Sequence, residues 1–310
     1  MPPDALVEGS GVIRGKEYVI HRVEAGDTLA RLADLYLKDR SKGWLIADFN
    51  NANEIEPGQQ IVIPLVHPNP IGVYVSGYQT VMILCYHRFG PNKSRMVITP
   101  EDFDRQMSYL KKNGYHVIPL SSVHSFFKGE SVLPQRAIVI TIDDGYRSSY
   151  DIAYPILKKF DFPATLFVYS DFIGSGDALG WSEMKEMINS GLVDIQPHSK
   201  THSSLIKRLP NESPYARAER IDEEIRIPTQ QIRRILGLPL HTFAYPFGDT
   251  DEFLISKLKS ANYRAGVTVH SGGNPAFSYP FKLRRTMIYG DRDMNTFISN
   301  LKVFVTENLK

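Results

Sequence analysis

Apolar residues in this chain follow two rhythms. From Val81 onward, short unbroken apolar runs alternate with longer stretches in which apolar positions recur every three or four residues. Val81-Met82-Ile83-Leu84-Cys85-Tyr86, Ala137-Ile138-Val139-Ile140-Thr141-Ile142 and Ala164-Thr165-Leu166-Phe167-Val168 read as strands covered on both faces, the pattern of a parallel sheet. Shorter runs at Val193–Ile195, Thr242–Pro246, Gly266–Val269 and Leu283–Ile288 extend the series to seven. Helices are predicted between them. Thr99 caps one that opens on Pro100, carries Phe103, Met107 and Leu110 on one face, and stops at Gly114. Others cover Tyr150–Phe160 (Pro155 kinking it or marking its start), Trp181–Ser190, Ala218–Leu236, Glu252–Ala261 and Asn295–Val303. Strands alternating with helices predict an α/β fold, either a barrel or a doubly wound sheet.

The first 66 residues have a different rhythm. Residues 1–16 are aperiodic and read as a tail. Tyr18 to Val23 is a strand, and Asp27 is a plausible N-cap for a helix carrying Leu29, Leu32, Ala33 and Leu35. A second helix covers Trp44–Phe49, a turn falls at Pro57-Gly58, and Gln60–Pro64 closes the unit as a strand. The order strand, helix, helix, strand occupies residues 17–66. Residues 67–80 hold two prolines and two glycines with weak periodicity and read as a linker, leaving 81–310 as the large domain.

Composition narrows the function. A formal net charge of +2 is too balanced to argue for nucleic acid or an anionic membrane surface. No apolar stretch approaches the ~18 residues of a membrane span. Cys85 is the single cysteine, so no intrachain disulfide forms, and its apolar run marks it as a small buried hydrophobe. The segment Met1 to Gly11 lacks the charged and apolar regions of a secretion signal, so the expectation is a cytoplasmic protein or an exported one whose leader has been trimmed.

The candidate chemistry lies where apolar runs end. Ile142 is followed by Asp143-Asp144-Gly145, and Ile195 by Gln196-Pro197-His198-Ser199-Lys200-Thr201-His202. An Asp-Gly pair alone is an ordinary turn. Two histidines with one carboxylate make a metal ligand set, however, and a second carboxylate remains to act as a base. Sheets of this class carry their chemistry at the C-terminal rim of the strands, which is where both clusters fall.

Two resemblances sharpen these readings. Tyr18-x-Ile20, Gly26-Asp27-Thr28-Leu29, Asn50 and Pro57-Gly58-Gln59-x-Ile61-x-Ile63-Pro64 resemble a LysM module, a peptidoglycan- and chitin-binding domain. The resemblance implies a βααβ fold that grips N-acetylglucosamine polymers between Gly26-Asp27-Thr28 and residues 53–55. Thr141-Ile142-Asp143-Asp144-Gly145, then His198-Ser199-x-x-His202, then Tyr245-Pro246-Phe247-Gly248 resemble the first three motifs of the polysaccharide deacetylases. That family implies a distorted (β/α)7 barrel and a divalent metal, zinc first, with cobalt, nickel or iron able to use the same donors. By match, Asp144, His198 and His202 are the metal ligands and Asp143 is the base.

Tyr245 and Phe247 would form a substrate wall, with the Phe247 N–H donating to an oxyanion. Ala244 stands where many members carry an arginine that steers the base, and Arg285 is the candidate substitute. The closing Leu-x-His motif is absent, which leaves His87 ahead of His270 as proton donor. The expected reaction is hydrolytic N-deacetylation of an N-acetylglucosamine polysaccharide outside the cytoplasm, with the LysM module holding the polymer. A catalytically weak wall-anchoring protein and an O-acetyl esterase are the alternatives.

Overall fold

The computed structural model describes residues 6–8, 12–52, 54–66 and 69–307. It divides near residue 70 into two compact units.

The small unit is an antiparallel sheet in the order Leu6–Glu8, Val12–Arg14, Tyr18–Arg22, Gln60–Pro64, with helices Leu29–Leu37 and Gly43–Asn50. The expected strand–helix–helix–strand core is present. Val19, Leu32, Ala33, Ile46, Ile61 and Ile63 fill it. The Asn50 side chain ties the second helix to the last strand, donating to Ile46 O and Val62 O and accepting from Val62 N–H.

Two local expectations are corrected here. Part of the presumed tail supplies two strands; they are too short to show a period, and Ile13 gains order by pairing with Ile20. Thr28, not Asp27, caps the first helix, its hydroxyl accepting from Arg31 N–H at 3.1 Å.

In the large unit, five parallel strands run in the order Val193–Pro197, Ala164–Val168, Ala137–Ile142, Met82–Tyr86, Thr286–Met287. Thr242–Ala244 and Ala265–Val267 form a separate parallel pair. The pair joins the fifth strand's segment through Leu283 N–H to Gly266 O (3.0 Å) and Thr268 N–H to Leu283 O (2.8 Å). On the other side the ladder is interrupted. There the Gln196 side chain takes over, its Oε1 accepting from the N–H groups of His241 (3.0 Å) and Thr242 (3.1 Å). All seven strand runs read from the sequence are strands, but they do not form one unbroken ladder.

Alternation along these strands makes two cores. Ile138, Ile140 and Ile142 face the helical layer with Leu84, Tyr86, Phe103 and Leu157. Ala137 and Val139 face inward with Ile83, Phe167, Ala244, Val267 and Leu283. Thr141 and Asp143 continue the inward-facing register, so the base candidate is aimed into the strand-enclosed interior.

Helices form at Pro100–Lys112, Tyr154–Phe160, Trp181–Asn189, Pro214–Leu236, Glu252–Ser260 and Met294–Ser299. Pro155 has no N–H to return to the preceding turn, and the residues before it, Ser149–Ala153, form a π-helical turn. The last helix stops at Ser299, short of the expected Val303, because the chain then enters a strand. That strand, Phe304–Thr306, pairs with Gly77–Gln79, which also forms a hairpin with Val73–Tyr74. Part of the expected linker is therefore sheet. Gly77 is required there: a Cβ would sit 1.9 Å from Val305 O.

Candidate metal centre

The strand ladder carries the chemistry to the rim. Asp143 N–H donates to Tyr86 O (2.9 Å) and His198 N–H to Val168 O (2.8 Å), each one step past the end of its strand. The chain then turns sharply. Asp144 and Gly145 both have positive φ (75° and 81°), and a Cβ on Gly145 would meet Val168 Cγ1 at 2.9 Å. Aspartate tolerates this region and glycine favours it, which explains the Asp-Gly pair physically. The turn sends the two neighbouring carboxylates in different directions.

Asp143 is 1% exposed and faces Arg285, which is fully buried. The guanidinium donates to both carboxylate oxygens at 2.6 Å, to Thr141 Oγ1 at 3.1 Å and to Thr268 O at 2.9 Å. Burial by itself pushes the Asp143 carboxyl up, but the charge and hydrogen bonds of Arg285 outweigh it and hold the group well below the usual range. Burial opposes the guanidinium charge and Asp143 restores it, so Arg285 stays charged.

Asp144 faces two imidazoles. Its Oδ1 lies 3.6 Å from His198 Nε2 and 3.4 Å from His202 Nε2. His198 Nδ1 lies 2.8 Å from Ala244 O, which can only accept, so Nδ1 carries the proton and the Nε2 lone pair is bare. Burial pushes His198 down to about 3 and also lowers His202, so both rings are neutral. Burial likewise pushes the Asp144 carboxyl up to about 6, and Asp144 Oδ1 has no hydrogen-bond partner. Asp144 Oδ1, the bare His198 Nε2 and His202 Nε2 thus converge on one point. Among the described residues, two clusters are tight enough for an ion: this one, and Cys85 with His87 and Asp143. Both Asp143 oxygens are already taken by Arg285, so the Asp144 cluster is the one left wanting a cation. One oxygen and two imidazole nitrogens, with further positions open, fit zinc and its neighbours.

His87 approaches from the first strand. Ligand-capable atoms of His87, Cys85 and Asp143 all lie within 4.8 Å of one another. Cys85 is buried as expected, its thiol donating to Asp143 Oδ2 at 3.5 Å. The His270 ring is exposed, and its backbone carbonyl accepts from Arg285 N–H at 3.1 Å. Phe247 sits beside the metal ligands, 59% exposed, with its ring centroid 4.9 Å from that of His202. Its backbone is left-handed (φ 61°).

Tyr245 does not line the site. It is fully buried in the helical-layer core, and its hydroxyl donates to Phe281 O at 2.9 Å. Of the Tyr-Pro-Phe-Gly stretch, then, Tyr245 packs and Phe247 faces out. In the small unit, Gly26 makes the turn with φ 90°. Asp27 Oδ2 accepts from Glu24 N–H (2.8 Å) and pairs with His21 Nε2 (2.9 Å), so Asp27 and Thr28 both hold the loop together. Asn53, the start of the second expected groove segment, lies outside the described residues.

The sequence reading missed two side chains that shape the site. Gln196 spans the ladder gap beside His198, and Glu224 of the long helix hydrogen-bonds the loop between the two histidines. Neither lies at a motif position, and only a polar residue recurring on an apolar face could have hinted at them.

Residues 130–266 match the family model for polysaccharide deacetylase and residues 21–64 that for the LysM domain. The Bacillus subtilis (strain 168) protein YxkH, named for the same deacetylase family, is 27% identical over 206 residues, covering 66% of this chain and 70% of that protein. A poly-β-1,6-N-acetyl-D-glucosamine N-deacetylase of Escherichia coli (strain K12) is 27% identical over 201 residues, 54% of this chain. The matched region spans only 30% of that relative's length. Among solved structures, IcaB from Ammonifex degensii superposes with a TM-score of 0.62 at 27% identity, covering 68% of this chain and 93% of that one. The chain carries a polysaccharide deacetylase domain and a LysM domain.

Proposed function

We propose that this polysaccharide deacetylase domain hydrolyses N-acetyl groups from an N-acetylglucosamine polysaccharide held nearby by the LysM domain. The observation that carries the reading is the division of labour between adjacent carboxylates: Asp143 locked to Arg285, and Asp144 with its Oδ1 free of hydrogen bonds and facing the Nε2 atoms of two neutral imidazoles.

Asp144, His198 and His202 would hold the divalent ion. Such an ion, once bound, polarises the amide carbonyl and acidifies a water. Asp143 would take the proton of the attacking water. The guanidinium keeps the carboxylate ionised and fixes its direction, so the base needs no reorganisation at the moment of transfer. The Phe247 N–H would donate to the developing oxyanion, since Pro246 has no N–H to offer. The leaving amine needs a proton, and His87, within 4.8 Å of Asp143 atoms, is the donor on the side facing the base. The exposed Phe247 ring offers an apolar face to a sugar. The expected barrel architecture is the closed form of the strand path described above.

The curated relative acts on a β-1,6-linked N-acetylglucosamine polymer, and that polymer is our first candidate substrate. A LysM grip on the same polymer raises its local concentration without altering the site. That places the reaction at the cell envelope. The test is acetate release from β-1,6-linked N-acetylglucosamine polymer, chitin oligomers, peptidoglycan and acetylated xylan, after stripping and restoring the metal. Release from an N-acetylglucosamine polymer that stops on chelation supports the reading. Release from xylan alone makes the protein an O-acetyl esterase, and release from none of them makes it a binding protein.

A further inference from the structure

Glu224 belongs to none of the motifs above. It lies within the Pro214–Leu236 helix, 5% exposed, facing the loop that joins His198 to His202. A carboxylate at that depth is costly unless its oxygens are satisfied. Here they are: Oε2 accepts from the N–H groups of Lys200 (2.9 Å) and Thr201 (3.0 Å), and Oε1 accepts from the Thr201 hydroxyl (2.6 Å).

The loop it grips is strained. Ser199 and His202 have φ of 74° and 61°, left-handed values that side-chain-bearing residues avoid. Such conformations persist only where the surroundings enforce them. From the inner side, the buried Ser199 hydroxyl accepts from His202 N–H at 3.0 Å. From the outer side, the loop is held by Glu224. Release of either side would let the backbone relax, and His202 would swing away from Asp144.

We infer that Glu224 is a positioning residue for the metal centre, acting by hydrogen-bond geometry rather than by its charge. This rests on the metal reading above. Glutamine separates geometry from charge: its carbonyl oxygen can accept both backbone N–H groups, and its amide can donate to the Thr201 oxygen. Alanine removes all three bonds.

The experiment uses the full chain, stripped of metal, with zinc affinity measured by chelator competition and cobalt(II) absorption in the visible. Glu224→Ala is expected to weaken zinc by 10- to 100-fold, the usual effect of losing a partner that orients a ligand, and to change the cobalt bands as one imidazole withdraws. Glu224→Gln is expected to stay within about threefold of the parent, because the bonding pattern survives. An unchanged affinity and cobalt spectrum in Glu224→Ala overturns the inference, and so does a Glu224→Gln variant as weak as the alanine. Should Glu224→Ala not fold, Thr201→Val decides, since it removes one bond of the three: weakened zinc supports the role, unchanged zinc refutes it. A parent protein that binds zinc no better than Asp144→Ala is a different result and defeats the metal reading itself.

Discussion

Replacing Arg285 with methionine tests the buried ion pair it forms with Asp143. The guanidinium makes two hydrogen bonds to Asp143 and one each to Thr141 and Thr268, all in the interior. Methionine fills similar space but leaves Asp143 as a buried carboxylate without a counter-charge. Breaking a buried pair from one side costs about 3–5 kcal/mol. Total stability is typically about 5–15 kcal/mol, so the loss is a large fraction of it. The assay is urea unfolding of the chelated protein in a Trp44→Phe background, where Trp181 reports the large unit alone. The double variant Asp143→Asn with Arg285→Met is the control, since it removes the orphaned charge. It is expected to recover about 2 kcal/mol of the single variant's loss. A loss below about 1 kcal/mol for Arg285→Met refutes the reasoning. So does a double variant no more stable than the single.

His87→Ala should lower kcat by about 10²-fold or more with little change in KM, the signature of a lost proton donor; an equal rise in KM would point to substrate binding instead. Phe247→Ala should raise KM about three- to tenfold through loss of one aromatic face, measured on defined oligomers, and an unchanged KM removes Phe247 from the substrate path. His124 supplies a pH effect on stability. Burial, with His241 beside it, pushes its imidazole down to about 4 from the usual 6.5. Between those values the unfolded chain binds a proton that the folded chain refuses, so stability rises with pH across that window, by up to about 3 kcal/mol. Urea midpoints from pH 4 to 7 should show this rise, and His124→Gln should make it shallower, leaving the part that buried His198 contributes.

The sequence carried the strands and the metal donors because both are local signals. The β-branched run at Ala137–Ile142 announces a buried strand whatever it pairs with, and Asp143-Asp144-Gly145 follows at a fixed offset. What stayed hidden depends on partners distant in the chain. The Phe304–Thr306 strand exists because Gly77–Gln79 lies beside it, more than 200 residues earlier. Tyr245 and Phe247 are two positions apart, yet one is buried and the other exposed, because Phe247 turns left-handed after the strand ends and breaks the alternation. Thr28 displaced Asp27 as cap because the Asp27 carboxylate is engaged with His21 and Glu24, a contact that neighbouring residue types do not reveal. Arg285 is legible only as the charge that replaces the arginine missing at Ala244, because nothing in its own stretch marks it as buried.

Zinc titration of the metal-stripped chain by calorimetry, with acetate release followed on the same samples, bears most directly on the division between the two carboxylates. The account predicts that Asp144→Ala abolishes tight zinc binding, whereas Asp143→Asn still binds zinc but releases no acetate. Tight zinc binding retained in Asp144→Ala, or acetate still released by Asp143→Asn, would contradict it.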